Sequence, residues 1–583
     1  PPGLAPQVRT DAGTPPGVPN GYPHKLGDIF HSEAAVVDPP RFFPYLSLNL
    51  PGYGTFVDKY AKRRRVILVG SNDGFLHAFD TGVWNRDTVN YNNAFDLGTG
   101  REIFAFAPPD ILSGFPSVLA LPPPAKPPYF VDGSMGVADA FLDTAHGGVP
   151  VPANRKWRTV VVGGLRQGGA AYYALDVTQP DDIDAAGLII GNKDAAPGCL
   201  NGGPASCSGK KYPEVLWTLT DGAVGTVPKM GETWSRPVLG RIKIINGVGF
   251  EDRYVAIFGG GFDPNYTIGG PIVTSPAGSA TRGRSIYIVD LETGQILHKA
   301  SAGVDGTGLA VNLAPVPSAV AAADYNDDGY LDIAYVGDVN GRMWRFDLTP
   351  DTTTSPKRGE LVAGKLQGYK PYLLYDGNVA TTKPFQPIFF EPGIVFLSGG
   401  TPPTLGVAFG TGDRSNLVAP NPVGNNNRFL FVIDAGQTNL TYDVTSLRNI
   451  TPGVGTPGAS TTGYFLDYQS TNEKTTSSVF STRGYLSLVT FTPDAGNNPC
   501  TTDGKSFRYR FFFQNGGPGY PTQPPGWAQY QQSAGAGLAS AVQSTSPIGD
   551  TIDSLFFAGG AIDQQTTGGT VNRINKNWKE LQP

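Results

Sequence analysis

The stretch "VILVGSNDGFLHAFDTG", residues 66–82, decides the fold. Apolar residues alternate on either side of a Ser-Asn-Asp-Gly turn, which gives each flanking segment one buried face. Asn, Asp and Gly supply the positive-φ positions that a tight hairpin turn needs. The second segment ends in an aromatic residue followed by Asp80.

The same phrase returns along the chain. It appears as "TVVVGGLRQGGAAYYALDVT" (159–178) and as "YVAIFGGGFD" (254–263), which resumes as "SIYIVDLETG" (285–294). Later copies are "IAYVGDVNGRMWRFDL" (333–348) and "GVAFGTGDRSN" (406–416), resuming as "RFLFVIDAG" (428–436). Weaker echoes are "YFVDGSMGVADAF" (129–141), "YLSLVTFTP" with "SFRYRFFF" (485–513), and "SLFFAGG" (554–560). A single hairpin cannot bury its apolar face, so such units must stack on one another. The strong copies begin at 66, 159, 254, 333 and 406. That spacing exceeds the roughly 40–50 residues of compact propeller units. The excess falls in polar, Gly/Pro-rich stretches such as 179–214, 264–283 and 351–382, which read as loops inserted between strands. Seven or eight units favour a β-propeller, which protects its strand edges. A pair of β-sandwiches explains the strands but not the recurring Asp. On the propeller reading Asp80, Asp176, Asp290, Asp347 and Asp434 occupy equivalent places.

Composition agrees with an all-β chain. Among 583 residues there are 77 Gly, 52 Pro, 25 Tyr and 32 Phe but only 3 Met. This is the signature of many short strands joined by turns. No apolar run reaches the 18 or more residues of a membrane-spanning helix. The net charge of −5, spread along the chain, gives no reason to expect nucleic acid as a partner. Residues 1–23 read as a Pro/Gly-rich linker and residues 24–583 as the propeller domain. The absence of an initial Met or an apolar leader marks the sequence as a fragment or processed product.

Cys199 and Cys207 flank a flexible "LNGGPAS" loop and are expected to form a disulfide, leaving Cys500 single. Three scattered Cys and five His show no zinc spacing. "KRRR" (62–65) reads as a solvated strand edge, Trp344 and Trp234 as propeller core, and "GGPGYPTQPPGW" (516–527) as a linker between units.

One stretch departs from all of this. "DYNDDGYLD" (324–332) packs four carboxylates into nine residues, in a chain with only 16% charged residues. Asp324, Asn326 and Asp328 take positions one, three and five of an EF-hand-like loop. Gly329 takes the sharp turn at six, Tyr330 offers a backbone carbonyl at seven, and Asp332 stands at nine. Position twelve is Tyr335, so no Glu closes the sphere, and the residues that follow are strand-like. The reading is a Ca²⁺ loop that feeds a β-strand, with Asp332 as the extra ligand and Asp327 facing solvent. Mg²⁺ fits less well because it demands a stricter octahedron. The plain alternative is a polar turn with no ion, but clustered carboxylates repel unless a cation neutralises them.

The order of motifs resembles one family. "HKLGDIFHSEAAVVDPP" (24–40), "VGSNDGFLHAFD" (69–80) and "GREIFAFAPPDIL" (100–112) are similar to the start of the C-terminal domain of PilY1-type proteins. "WRTVVVGGLRQGGAAYYALDVT" (157–178), "GETWSRPVLGRI" (231–242), "ADYNDDGYLDIAYVGDVNGRMWRFDL" (323–348), "FGTGD" (409–413) and "INKNWKEL" (574–581) continue the resemblance. These are bacterial type IV pilus biogenesis factors and tip-associated adhesins. The resemblance implies a modified seven-bladed β-propeller with long inserted loops. It implies one Ca²⁺ held by Asp324, Asn326, Asp328, the Tyr330 carbonyl and Asp332. It also implies a place at the pilus tip or cell surface, with outer-membrane association, and minor pilins and host or abiotic surfaces as partners. Calcium occupancy would bias pilus extension against retraction. The von Willebrand A-like region found in many relatives is not in this sequence, and the Arg-Gly-Asp tripeptide of some relatives is absent.

Two other functions compete. A quinoprotein dehydrogenase is also a calcium-containing propeller, but the adjacent cysteines that many of those enzymes carry are missing here. No nucleophile elbow, catalytic histidine context or phosphate loop appears, so a non-enzymatic domain is expected. An integrin-like ligand-binding surface head is the second alternative.

Overall fold

The computed structural model describes most of residues 26–568. Residues 1–25, 86–93, 115–127, 144–149, 184–188, 193–211, 223–228, 267–281, 378–385, 494–503, 542–550 and 569–583, with shorter gaps, lie outside the description. The expected linker (1–23) and the Cys199–Cys207 pair with Cys500 therefore fall outside it.

Strands dominate, and they form successive antiparallel meanders. The first sheet runs Ala35–Val37, Val66–Gly70, Leu76–Asp80, Glu102–Phe106. The second runs Met135–Leu142, Lys156–Gly164, Ala171–Asp176, Glu214–Thr220. The third runs Val238–Asn246, Gly249–Gly259, Ser285–Asp290, Ile296–Ser301. The fourth runs Ala321–Ala323, Ile333–Gly337, Arg342–Asp347, Pro371–Asp376. The fifth runs Gly393–Ser398, Thr404–Gly410, Arg428–Asp434, Gly463–Asp467, with Arg448–Asn449 added in parallel. The sixth is built on Tyr485–Thr492 and Lys505–Phe512, and Thr551–Ala558 with Ala561–Gly568 belong to a three-stranded seventh.

The recurring Asp holds the same place each time. Asp80, Asp176, Asp290, Asp347 and Asp434 each end the third strand, opposite Val66, Val160, Val255, Ile333 and Leu405. In four of them Oδ1 accepts a backbone N–H two residues on, at Gly82, Thr178, Glu292 and Gly436. This side-chain turn stops the strand. In the first three sheets an arginine two residues before the opposite position pairs with the carboxylate. Arg64–Asp80 is 2.7 Å, Arg158–Asp176 is 3.2 Å and Arg253–Asp290 is 3.7 Å. In the fourth and fifth, Arg345 bonds Asp347 at 2.6 Å and reaches the next sheet to bond Asp434 at 2.9 Å.

Apolar cores lie between consecutive sheets. Leu68, Val161 and Leu175 fill the space between the first and second, and Tyr172, Phe258 and Tyr287 that between the second and third. Ile257, Ile288, Val336 and Trp344 fill the third interface, Tyr335, Val407 and Leu430 the fourth, and Phe429, Leu488 and Phe511 the fifth. The innermost strands of five sheets, with Val479 of the sixth, converge on one cavity of about 220 Å³. Gly136, Leu239, Ala322 and Ile394 line it. In such meanders the first and third connections of every sheet lie at one end of that axis. The second connections and the crossovers between sheets lie at the other.

Several expectations need correction. Residues 351–382 are not merely an insertion, because they contain the outer strand Pro371–Asp376 of the fourth sheet. The "YFVDGSMGVADAF" echo is a crossover turn plus an innermost strand, not a hairpin. Residues 516–527 connect strands within the sixth sheet, where Phe511 and Phe512 pair with Pro518 and Gly517. In "KRRR", Arg63 and Arg64 are buried rather than solvated. Arg63 donates to Thr159 Oγ1 (2.7 Å) and to the Thr178 and Asp38 carbonyls. Trp344 is sheet core, but Trp234 is half-buried in a separate aromatic cluster with Phe262 and Phe389.

Two short helices, Phe43–Ser47 and Tyr53–Tyr60, occupy the first connection of the first sheet. They pack Tyr45, Tyr53 and Phe56 against Trp157 and Tyr254 of the next two sheets.

Candidate metal centre

Residues 324–332 form the first connection of the fourth sheet, at the same end of the axis as the two helices. Strand Ala321–Ala323 ends at Asp324, and strand Ile333–Gly337 begins after Asp332. The Asp332 N–H donates to the Ala323 carbonyl at 2.9 Å, which closes the base of the loop.

Inside the loop the carboxylates organise the backbone. Asp324 Oδ2 accepts from Gly329 N at 2.7 Å, and Oδ1 accepts from Asp328 N at 3.2 Å and Asn326 N at 3.3 Å. Asn326 Oδ1 accepts from Asp328 N at 2.9 Å, and Asp328 Oδ1 from Tyr330 N at 3.0 Å. Asp332 Oδ2 accepts from Tyr325 N at 3.0 Å. The turn needs positive φ at Asp327 (60°) and Gly329 (82°). At that φ glycine is favoured, and a Cβ there would also displace Leu48 Cδ1 (2.5 Å) and Arg241 Nη2 (2.9 Å).

Asp324, Asp328 and Asp332 each offer an oxygen, and these atoms lie within 4.8 Å of one another. Asp324 and Asp332 are buried, Asp328 is half-buried and Asp327 is exposed. Among the described residues this is the one group of three or more metal-type side chains that comes together. Burial, and then the charges of Asp324 and Asp328, push Asp332 up to about 7. Burial and the Asp328 charge also raise Asp324. The nearest ion-pair partner is Lys243, 3.9 Å from Asp328. An all-oxygen set of this span fits one hard divalent cation.

The Tyr330 side chain points out of the loop. Its hydroxyl donates to Asp252 Oδ1 at 2.6 Å, and its ring lies under Arg241 (3.9 Å) and Lys243 (4.5 Å). Arg241 also donates to the Asp328 and Gly329 carbonyls, both at 3.2 Å. Sequence reading missed this clamp, because Arg241 lies in the preceding sheet and carries no local signal of its target.

Consecutive meanders packed face to face around an axial cavity define a β-propeller domain that carries an acidic loop at one end. The family model of the PilY1 beta-propeller domain matches residues 26–205 and 240–415, and the chain belongs to that family. The chain is 27% identical over 482 residues to the type IV pilus biogenesis factor PilY1 of Pseudomonas aeruginosa strain PAO1, covering 82% of this chain and 31% of that protein. A PilY1 homolog of Xylella fastidiosa is 29% identical over 290 residues, covering 48% of this chain and 14% of the relative. The chain thus spans less than a third of the length of these relatives. The crystal structure of the Pseudomonas aeruginosa PilY1 C-terminal domain shares the fold at 21% identity, with a TM-score of 0.58, covering 92% of this chain and all of that one.

Proposed function

We propose that this domain is the calcium-binding, non-enzymatic propeller of a type IV pilus biogenesis factor and tip adhesin. Its family membership and the names of its relatives support the pilus assignment. Six meanders of four or more strands and a three-stranded seventh support a seven-bladed reading for residues 24–583.

The observation that carries the calcium reading is the carboxylate triad within 4.8 Å, two of its members buried. Asp324, Asn326, Asp328, the Tyr330 carbonyl and Asp332 would hold the ion. The ion would supply charge neutralisation, and the residues would supply a fixed exit from the innermost strand. The site would act at the pilus tip or cell surface, with minor pilins as partners. Its occupancy would bias extension against retraction.

Piliation in a strain whose only copy carries Asp328→Ala tests the role. Reduced or unbalanced piliation supports it, and wild-type piliation in calcium-replete medium rejects it. Loss of attachment with normal piliation would favour the integrin-like head instead.

A further inference from the structure

The other end of the axis brings two arginines together. Arg166 lies in the second connection of the second sheet, and Arg414 in that of the fifth. His31 precedes the first sheet, and Trp234 lies in the crossover to the third. Sequence-distant segments thus converge on this mouth.

Three of the acids there are engaged by the protein, and a fourth, Glu33, acts on Arg166 through its charge. Asp132 accepts from His31 N (3.0 Å) and bonds His31 Nδ1 (2.6 Å). Glu232 Oε2 accepts from Trp234 Nε1 (2.9 Å), and Glu391 pairs with Arg236 (2.5 Å). Among the described residues, Arg166 and Arg414 have no ion-pair partner. Arg166 stacks its guanidinium on Trp234 at 4.1 Å, and its Nε is buried without a hydrogen-bond partner. It is held at φ 52°, a left-handed conformation that a non-glycine residue adopts at a cost. Burial, and then the charge of Arg414, lower it to about 9. Asp132, already held by His31, is the carboxylate whose charge reaches both guanidinium groups, yet neither forms an ion pair with it.

Around them stands an apolar rim. Phe30 is 68% exposed and packs edge-on to His31 at 4.3 Å, and Tyr129 lies 5.9 Å from His31. Aromatic and Arg side chains in one patch, exposed at Phe30 and half-buried elsewhere, have the composition of a binding hot spot. A stacked guanidinium keeps its edge free for a planar carboxylate. A free inorganic anion would use the arginines but not the rim. A chain of alternating acidic and apolar side chains would use both.

We propose that this mouth binds an acidic polypeptide segment, with its carboxylates held by Arg166 and Arg414 and its apolar neighbours against Trp234, Tyr129 and Phe30. The site is independent of the calcium reading and should work with the metal chelated.

Calorimetric titration of the whole chain in excess chelator tests it, with acetyl-Phe-Asp-Phe-Glu-Phe-amide as the probe. The expected result is saturable binding that weakens about tenfold or more when Asn and Gln replace the acids. Arg166→Ala and Arg414→Ala should each weaken it to a similar degree in protein that still unfolds cooperatively. If one variant does not fold, the other carries the test. Glucuronate or inorganic phosphate binding as tightly as the peptide would overturn the polypeptide assignment. No binding at millimolar peptide, or equal binding by folded variants, would overturn the site.

Discussion

Strand Ile333–Gly337 has a buried aspartate immediately beyond each end, and the two are built differently. Asp338, after the strand, is fully buried and accepts four hydrogen bonds. They come from Asn340 N (2.9 Å), Arg342 N (3.1 Å), Ala314 N (3.3 Å) and Trp344 Nε1 (2.9 Å), and the nearby Arg342 charge opposes the upward push of burial. Asp332, before the strand, accepts from Tyr325 N and faces two further carboxylates. One end has its aspartate met by protein donors, and the other brings three carboxylates together. Burial alone does not mark an ion site; what marks it is burial without enough protein donors and with like charges close by.

The comparison breaks first at Asp338. Asp338→Ala strands the Trp344 indole N–H and backbone donors in the core. It should cost about 3 kcal/mol or more, by chemical denaturation, equally with and without calcium. If millimolar calcium rescues this variant, the two ends are not distinct.

The next effect belongs to the ion. For a dissociation constant near 10 μM, about 1 mM calcium is a hundredfold excess and stabilises by about 2.7 kcal/mol. Asp328→Ala should remove most of that increment, whereas Asp327→Ala, at an exposed position, should keep it. Melting with and without calcium reads the increment, and titration of chelated protein reads the heat. A wild type with neither heat nor a melting shift would reduce the loop to a polar turn.

A smaller effect is read in pH. Asp332 is raised from an ordinary carboxylate value to about 7 in the folded, metal-free loop. The folded state therefore holds a proton that the unfolded state has released, between about pH 4 and pH 7. Metal-free stability should fall as pH rises through that window. Calcium must displace the proton, so its stabilising increment should grow over the same range. Asp332→Asn should flatten the metal-free slope, as followed by denaturation at stepped pH.

The smallest belongs to Lys243, whose ammonium is half-exposed and 3.9 Å from Asp328. Lys243→Ala should change stability by less than about 1 kcal/mol. It should tighten calcium binding slightly, because a competing cation is removed. A weaker calcium affinity in calorimetry would contradict this.

How much was legible follows the range of the interactions. The hairpins, the equivalent strand-ending Asp residues and the acidic loop are local, because a turn residue and its acceptor lie within a few positions. What stayed hidden was contributed from a distance. Arg345 meets Asp434 89 positions later, and Arg241 meets Gly329 88 positions later. The buried fate of Arg63 depends on Thr159 and Thr178 in another sheet. The outer strand Pro371–Asp376 was hidden for a different reason: its "PYLLYD" does not alternate cleanly, as suits an edge strand with one half-covered face. The arginine mouth carried no motif at all, since its parts come from separate turns and crossovers.

The contact of Leu48 with Gly329 has a mechanical consequence. Leu48 lies just after the first short helix, and the chain beyond it is moored by Trp157 Nε1 donating to the Pro51 carbonyl (2.9 Å) and by Tyr53, at the start of the second helix, donating to Asp139 (2.6 Å). A tug on the chain entering the first sheet meets those moorings and this contact together. Load applied at residues 38–60 would be delivered across the axis to the tightest point of the acidic turn. The loop then sits where load arrives, and an ion bound there would stiffen the point at which the two segments meet.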